Sequence, residues 1–217
     1  MIEVACDRAS TTARELQEVL DNYPDVEGVV NWTGAPLGGE KVLNSRARTD
    51  KLAQLVRLDI KGVVVPPYSL WKPPVEGWLG RTVHHQQGRD FTRGVGNPDY
   101  WVQRLALEDE WRLHFFRTSK GNVKLLRSGI KLPKDRNAHP WVKSHRLGWK
   151  LSYIGGAPQS HVAMGRKAIE ALELDFGAVD ISTTGAGAPV VLEVNTCPGL
   201  ETPTMGRYVE QILERLA

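Results

Sequence analysis

Two short apolar runs near the end of the chain constrain its fold more than any other feature. Residues 175–182 (Asp-Phe-Gly-Ala-Val-Asp-Ile-Ser) and 189–195 (Pro-Val-Val-Leu-Glu-Val-Asn) are strand-forming, and a turn of small residues, 183–188, separates them. The pattern predicts a β-hairpin with one face buried. Side chains two apart share a face of a strand, so Glu193 and Asn195 project together while Leu192 and Val194 turn to the core. Folding the turn brings Asp180 within a residue or two of register with them. Two carboxylates and an amide oxygen then lie on one face of an otherwise apolar sheet. Two negative charges side by side are costly without a cation between them, and oxygen-only donors suit a hard ion such as Mg²⁺. Any one of the three alone reads as a solvated polar residue. Together, and followed by Cys197-Pro198-Gly199-Leu200, they read as a metal-ligand set.

The remaining periodicities fill in a mixed order. A short strand is expected over 1–6, a helix over 9–21 with Ser10 and Thr11 as caps, and a second strand over 27–33, together one β-α-β unit. Residues 49–60 read as a helix ended by Gly62, and 63–65 as a short strand stopped by Pro66 and Pro67. The proline-rich stretch 66–77 reads as a stiff connection. Strands follow at 78–84, 100–107, 111–118 and 122–130, the last two joined by a Ser119-Lys120-Gly121 turn. Residues 133–150 read as a basic, aromatic loop, 158–174 as an amphipathic helix, and 205–216 as a closing helix capped by Glu201-Thr202-Pro203-Thr204. At this level α+β and α/β both remain open.

Composition mainly excludes. The 217 residues are 41% hydrophobic and 24% charged, with a mean hydropathy of -0.33, ordinary values for a folded globular chain. No apolar run approaches the roughly 18 residues of a membrane span, and the opening residues do not read as a secretory signal, so a cytoplasmic location is expected. Two cysteines, Cys6 and Cys197, rule out a disulfide framework. Cys197 reads as a small buried residue, since nothing near it would activate a thiolate. The formal net charge of +3 is too small to imply nucleic acid by itself.

The strings 174–180 and 192–200, with the helix before them, resemble the C-terminal signature of the ATP-grasp superfamily, in particular its RimK-like carboxylate–amine ligases. Upstream, residues 45–51 with 52–66 resemble that branch's Arg-x-x-Asp-Lys helix and the strand after it. Val102-Gln103 and Glu110-Trp111-Arg112-Leu113 resemble the passage from nucleotide hinge to substrate-side arginine. The match is collinear from about Asn44 onward. Because few residues precede it, the chain resembles the compact forms found in phage genomes.

The resemblance implies an α+β fold of two lobes with largely antiparallel sheets clamping a nucleotide, preceded by a truncated β-α-β unit. The expected divisions are 1–45 for that unit, 46–105 for the central lobe with its phosphate lid, and 106–217 for the C-terminal lobe. It implies Mg-ATP, with Mn²⁺ as an alternative metal, and amide formation through an acylphosphate. Asp180, Glu193 and Asn195 would hold the metal. Lys51 matches the first ATP lysine, and Arg81 stands where the second is usual, a change of geometry at equal charge. The lid falls on 84–90 around Gly88. Gln103, Arg104 and Leu105 would read adenine through backbone groups, and Glu108 the ribose. Arg112 would stabilise the acylphosphate, with Arg127 and Lys131 near the γ-phosphate.

The blander readings are specific. Lys51 could be a surface lysine beside Asp50, and Arg112 could pair with Glu110 for little net energy. The adjacent His84 and His85 would face opposite sides of a strand and so could not share an ion. Partners expected are a carboxylate-bearing small molecule or peptide and an amine acceptor, with no membrane; self-association is left open. Two rivals stand behind the ligase: a non-catalytic ATP-binding regulatory module, and third a nucleic-acid binder using the basic, tryptophan-bearing stretch from Lys131 to Lys150.

Overall fold

The computed structural model describes residues 1–6, 10–47, 50–83 and 96–217. The region 84–90 expected as the lid, with Gly88, lies outside the described residues. The expected α+β architecture is present: helices accompany three separate sheets, two of them antiparallel.

The N-terminal sheet is parallel. Strand β1 (Ile2–Ala5) is followed by helix α1 (Thr11–Leu20) and then β2 (Gly28–Asn31), which pairs with β1 and with the two-residue β3 (Val42–Leu43). Ser10 caps α1 by accepting from the Ala13 N–H. A second sheet, in the order β4–β6–β5, is antiparallel and comprises β4 (Tyr68–Ser69), β5 (Trp78–Arg81) and β6 (Tyr100–Gln103). Helix α2 (Lys51–Ile60) precedes it. Its N-cap is Asp50, which accepts from the Ala53 N–H, and Gly62 follows its end at φ 69, a value glycine takes freely.

The third sheet has five strands in the order β11–β10–β7–β8–β9, all antiparallel. They are β7 (Leu107–Arg117), β8 (Val123–Pro133), β9 (Trp149–Ser152), β10 (Phe176–Thr184) and β11 (Pro189–Asn195). Helix α3 (Gln159–Ala171) lies on one face over Leu113, Phe115, Val179, Ile181 and Val191. Gly165 of α3 allows that approach, since a Cβ there would stand 2.7 Å from the Phe115 ring. The closing helix α4 (Thr202–Leu216) covers part of the other face with Tyr208, against Phe116 and Phe176, and joins α1 and Trp32 in a second core. The uncovered part of that face carries the polar residues.

Three local expectations need correction. Residues 63–65 do not form a ladder; they run extended beside β11, where the Val64 carbonyl accepts from the Val191 N–H at 2.9 Å. The proline-rich connection is not wholly irregular, because Tyr68–Ser69 pairs with Val102 and Trp101 as β4. The basic loop is also shorter at its end: a 3-10 turn (His145–Leu147) leads into β9.

Candidate functional site

The cross-strand register builds the site. Asp180 on β10 stands opposite Glu193 on β11 and opposite Arg112 on β7, and Arg112 stands opposite Gly129 on β8. Two residues along, and so on the same face, Asn195, Ala178, His114 and Arg127 form the next row. A register shift in β10–β11 falls immediately after Asp180 and re-aims the strand there.

Asp180 is 4% exposed and its carboxylate is held by two cations. Arg112 donates from Nε to Oδ1 at 2.7 Å and from Nη2 to Oδ2 at 2.8 Å, a two-pronged grip. Lys131 donates to Oδ2 at 2.9 Å and also contacts Glu110 Oε1. Burial alone would push the Asp180 carboxyl up, but the Arg112 and Lys131 cations hold it well below the usual carboxylate range. Burial works against charge on Arg112 and Lys131 as well, and their carboxylate neighbours overcome it and raise both pKa values. Glu110 is pushed up, because its burial outweighs the Lys131 amine.

Lys51 forms the second ion pair. It is 9% exposed, and its amine lies 2.8 Å from Glu193 Oε1 and donates to the Val194 carbonyl at 2.9 Å. This excludes the surface-lysine reading. Arg112 likewise pairs with Asp180 rather than Glu110. The three carboxylates Asp180, Glu193 and Glu110 are thus balanced by Arg112, Lys51 and Lys131. The sequence argument that paired acids require a metal is therefore corrected in one respect: the protein's own cations already neutralise them.

The donor set still fits a hard cation. Asp180 accepts three hydrogen bonds, which leaves a lone pair on Oδ1, and Glu193 is partly open. The Asn195 Nδ2 is buried with no hydrogen-bond partner among the described residues, so this amide is incompletely used by the protein. Among the described residues no group of three His, Cys, Asp or Glu side chains forms a metal cluster; the set here is two carboxylates and an amide.

A cleft opens from this point towards the second sheet. Lys51, Arg81, Tyr100, Val102, Leu192 and Glu193 line it, so the expected ATP cations Lys51 and Arg81 and the expected ligand Glu193 share one space. The residues between Gln103 and Leu107 join the two sheets, as a hinge would. The backbone differs from expectation: Gln103 N–H donates to the Pro67 carbonyl (2.8 Å) and Arg104 N–H to the Gly77 carbonyl (2.7 Å). Of the three amides expected to read adenine, only that of Leu105 makes no hydrogen bond among the described residues. Glu108 is exposed near the start of β7.

Arg127 stands apart from the charged cluster. It donates to Thr204 Oγ1 at 2.8 Å, and its guanidinium lies 3.4 Å from the centre of the Tyr153 ring, tying β8 to the start of α4. Sequence reasoning gave His114 and Lys143 no role in the site. His114 is fully buried, its Nδ1 is 3.2 Å from Tyr208 Oη, and burial, aided by Arg112, brings its imidazole down to about 3. Its signal was the alternation Glu110, Arg112, His114 against Trp111, Leu113, Phe115, which marks a polar face on a buried strand.

This architecture is the ATP-grasp fold. Among solved structures, the chain is similar to the N5-carboxyaminoimidazole ribonucleotide synthetase of Thermotoga maritima, with TM-score 0.60, 14% identity, and coverage of 98% of this chain and 69% of that one. It is similar to the D-alanyl-alanine synthetase A of Vibrio cholerae at TM-score 0.68 and 11% identity, covering 99% and 96% of the two chains. The ATP-grasp ligase PsnB, solved with a minimal precursor, Mg and ADP, matches at TM-score 0.57 and 15% identity over 82% of this chain and 63% of that one. No family model and no curated protein sequence matches the chain.

Proposed function

We propose that this protein is an ATP-dependent carboxylate–amine ligase of the RimK-like kind, with Mg-ATP held in the cleft between the second and third sheets. The observation that carries the reading is the row Glu193–Asp180–Arg112 with Lys131 and Lys51 beside it, joined through Glu193 and Lys51 to a cleft that Arg81 also lines. Asp180, Glu193 and Asn195 would hold the metal. Bound there, a divalent ion would neutralise phosphate oxygens during transfer. Lys51 and Arg81 would bind phosphate oxygens from either side of the cleft.

In the proposed reaction a substrate carboxylate oxygen attacks the γ-phosphorus and ADP leaves. An amine nitrogen then attacks the acyl carbon, inorganic phosphate leaves, and the nitrogen loses a proton. Arg112 faces the position where charge builds on the acylphosphate, and Lys131 supports it. The apolar sheet beneath limits water at the intermediate.

Thermal unfolding with and without Mg-ATP tests the binding half, because a ligand bound only by the folded state raises the melting temperature. Wild type should shift upward, and the Glu193→Gln, Asn195→Ala double variant should not; an equal shift in both removes the metal assignment. Phosphate release that requires both a carboxylate and an amine selects the ligase. Nucleotide binding without such release selects the regulatory module instead.

A further inference from the structure

Of the acids Asp180, Glu193 and Glu110, the proposed reaction uses two. Asp180 and Glu193 would hold the metal, and Glu110 has no part in it. Glu110 is 8% exposed, stands on β7 opposite Ser182 of β10, and shares a face with Arg112 two residues on. Among the described residues its carboxylate has one ion-pair partner, Lys131, and the two side chains are 10% and 9% exposed. A buried ion pair adds little stability over apolar residues of the same volume, so stability does not account for this one.

Lys131 is shared between two acids. Its amine donates to Asp180 Oδ2 at 2.9 Å and also to Glu110 Oε1. Oδ2 therefore accepts from both Lys131 and Arg112, whereas Oδ1 accepts from Arg112 alone. The two cations hold Asp180 differently. Arg112 grips both oxygens with a planar fork, and releasing it breaks two hydrogen bonds at once. Lys131 gives Asp180 a single bond, from a point charge on a flexible stem. It is the easier of the two to release. On leaving Oδ2 it still has Glu110, so no charge is left unpaired in the interior, the condition that makes breaking a buried pair costly.

We propose that Lys131 is a displaceable counter-ion of Asp180, and that Glu110 is the positioning residue that keeps it paired when a divalent ion takes its place. The inference rests on the ligase reading and adds to it how the metal site exchanges charge. Lys131 and the ion compete for one carboxylate oxygen. Glu110 weakens Lys131 in that competition by offering it a second carboxylate. Glu110 thus acts on the ion only through Lys131.

Mn²⁺ binding by the full chain, with ADP in excess, is read from loss of the free-ion EPR signal and needs no turnover. Glu110→Gln leaves Lys131 with Asp180 alone and should weaken Mn²⁺ binding about tenfold. Lys131→Met should abolish that effect: alone or combined with Glu110→Gln, it should give Mn²⁺ affinities within about twofold of each other. Glu110→Asp keeps the carboxylate and should recover most of the wild-type affinity. A role of Glu110 in the fold alone would lower affinity equally with and without Lys131, and that result overturns the inference. So does Mn²⁺ binding that Glu110→Gln leaves unchanged. The double variant is neutral at both positions and leaves no buried charge unpaired between them. Should Glu110→Gln alone fail to fold by circular dichroism, the double variant must still bind Mn²⁺ more tightly than wild type; equal or weaker binding overturns the inference. Absence of Mn²⁺ binding in wild type removes the metal site of the ligase reading together with this inference. Wild-type binding with equal losses in both backgrounds removes the inference alone.

Discussion

The carboxylate of Asp180 accepts three hydrogen bonds from two cations at 4% exposure, so removing its charge strands both partners. Breaking a buried ion pair from one side costs about 3–5 kcal/mol. Asp180→Asn should lose stability on that scale by denaturant unfolding. Glu193→Gln, in a pair whose carboxylate side chain is 31% exposed, should lose about 1 kcal/mol. Equal losses would mean that Asp180 is not the hub. His114 gives a pH signature. Its imidazole is brought down to about 3 when folded, against about 6.5 unfolded. Between these values the unfolded chain binds the extra proton, so stability falls as pH falls, by about 1.4 kcal/mol per unit from this residue. His161, also lowered by burial, adds a slope of the same sign. His114→Gln should flatten the stability profile between about pH 6 and pH 4.5, above the range where carboxylates protonate; an unchanged slope would assign the effect elsewhere. Strand parity made the shared face of Glu193 and Asn195 legible in the sequence. The cations were not legible by that route, since Arg112 and Lys131 are 68 and 49 positions from Asp180 and only tertiary pairing joins them.

At the scale of elements, helices with strong period and good caps were readable. The apolar stripes of α1, α2 and α3 each face a core, and α3 sits against the sheet through its smallest residue. Gly165→Ala would gain about 1 kcal/mol of helix propensity but drive a methyl against the buried Phe115 ring, at about 1–3 kcal/mol. A net loss on thermal unfolding is expected, and a stabilised variant would show that the ring can withdraw. The elements the sequence hid are the short ones. β3 and β4 have two residues each, too few for any alternation to register, and both exist because a neighbouring strand supplies the ladder. Residues 63–65 failed in the opposite direction: their β-branched run is strand-like, yet Pro66 and Pro67 have no N–H to extend a ladder. The hinge shows the same limit, because the donation of two amides to Pro67 and Gly77 depends on where β4 and β5 lie.

Over the whole molecule, two cores are held together by polar contacts as well as packing. Asn44, fully buried at φ 57, donates from Nδ2 to the Phe176 carbonyl at 2.9 Å. Its Oδ1 accepts from the Asp175 and Phe176 N–H groups, and its own N–H donates to Asp175 Oδ2. Asn31 in turn donates to the Asn44 carbonyl at 2.9 Å. Asn tolerates this backbone region, and its two-sided amide meets one carbonyl acceptor and two N–H donors. Asn44→Ala should therefore cost about 3 kcal/mol or more, since several buried backbone groups lose partners worth about 1–3 kcal/mol each. Asn44→Asp keeps the acceptor and should cost less; a larger loss would show that the donated bond dominates. In the sequence Asn44 marks only where the resemblance begins, because the side-chain partners that define its role, at Asp175 and Phe176, lie more than a hundred positions away.

Asn44 fastens the root of the strand that carries Asp180, and it follows directly on the opening sheet. A shortened protein starting beyond it would therefore begin β10 with bare amides in an apolar setting. The leading β-α-β stretch is accordingly an anchor for the reactive centre, and engineering that treats it as a detachable preface should damage sites well over a hundred residues downstream.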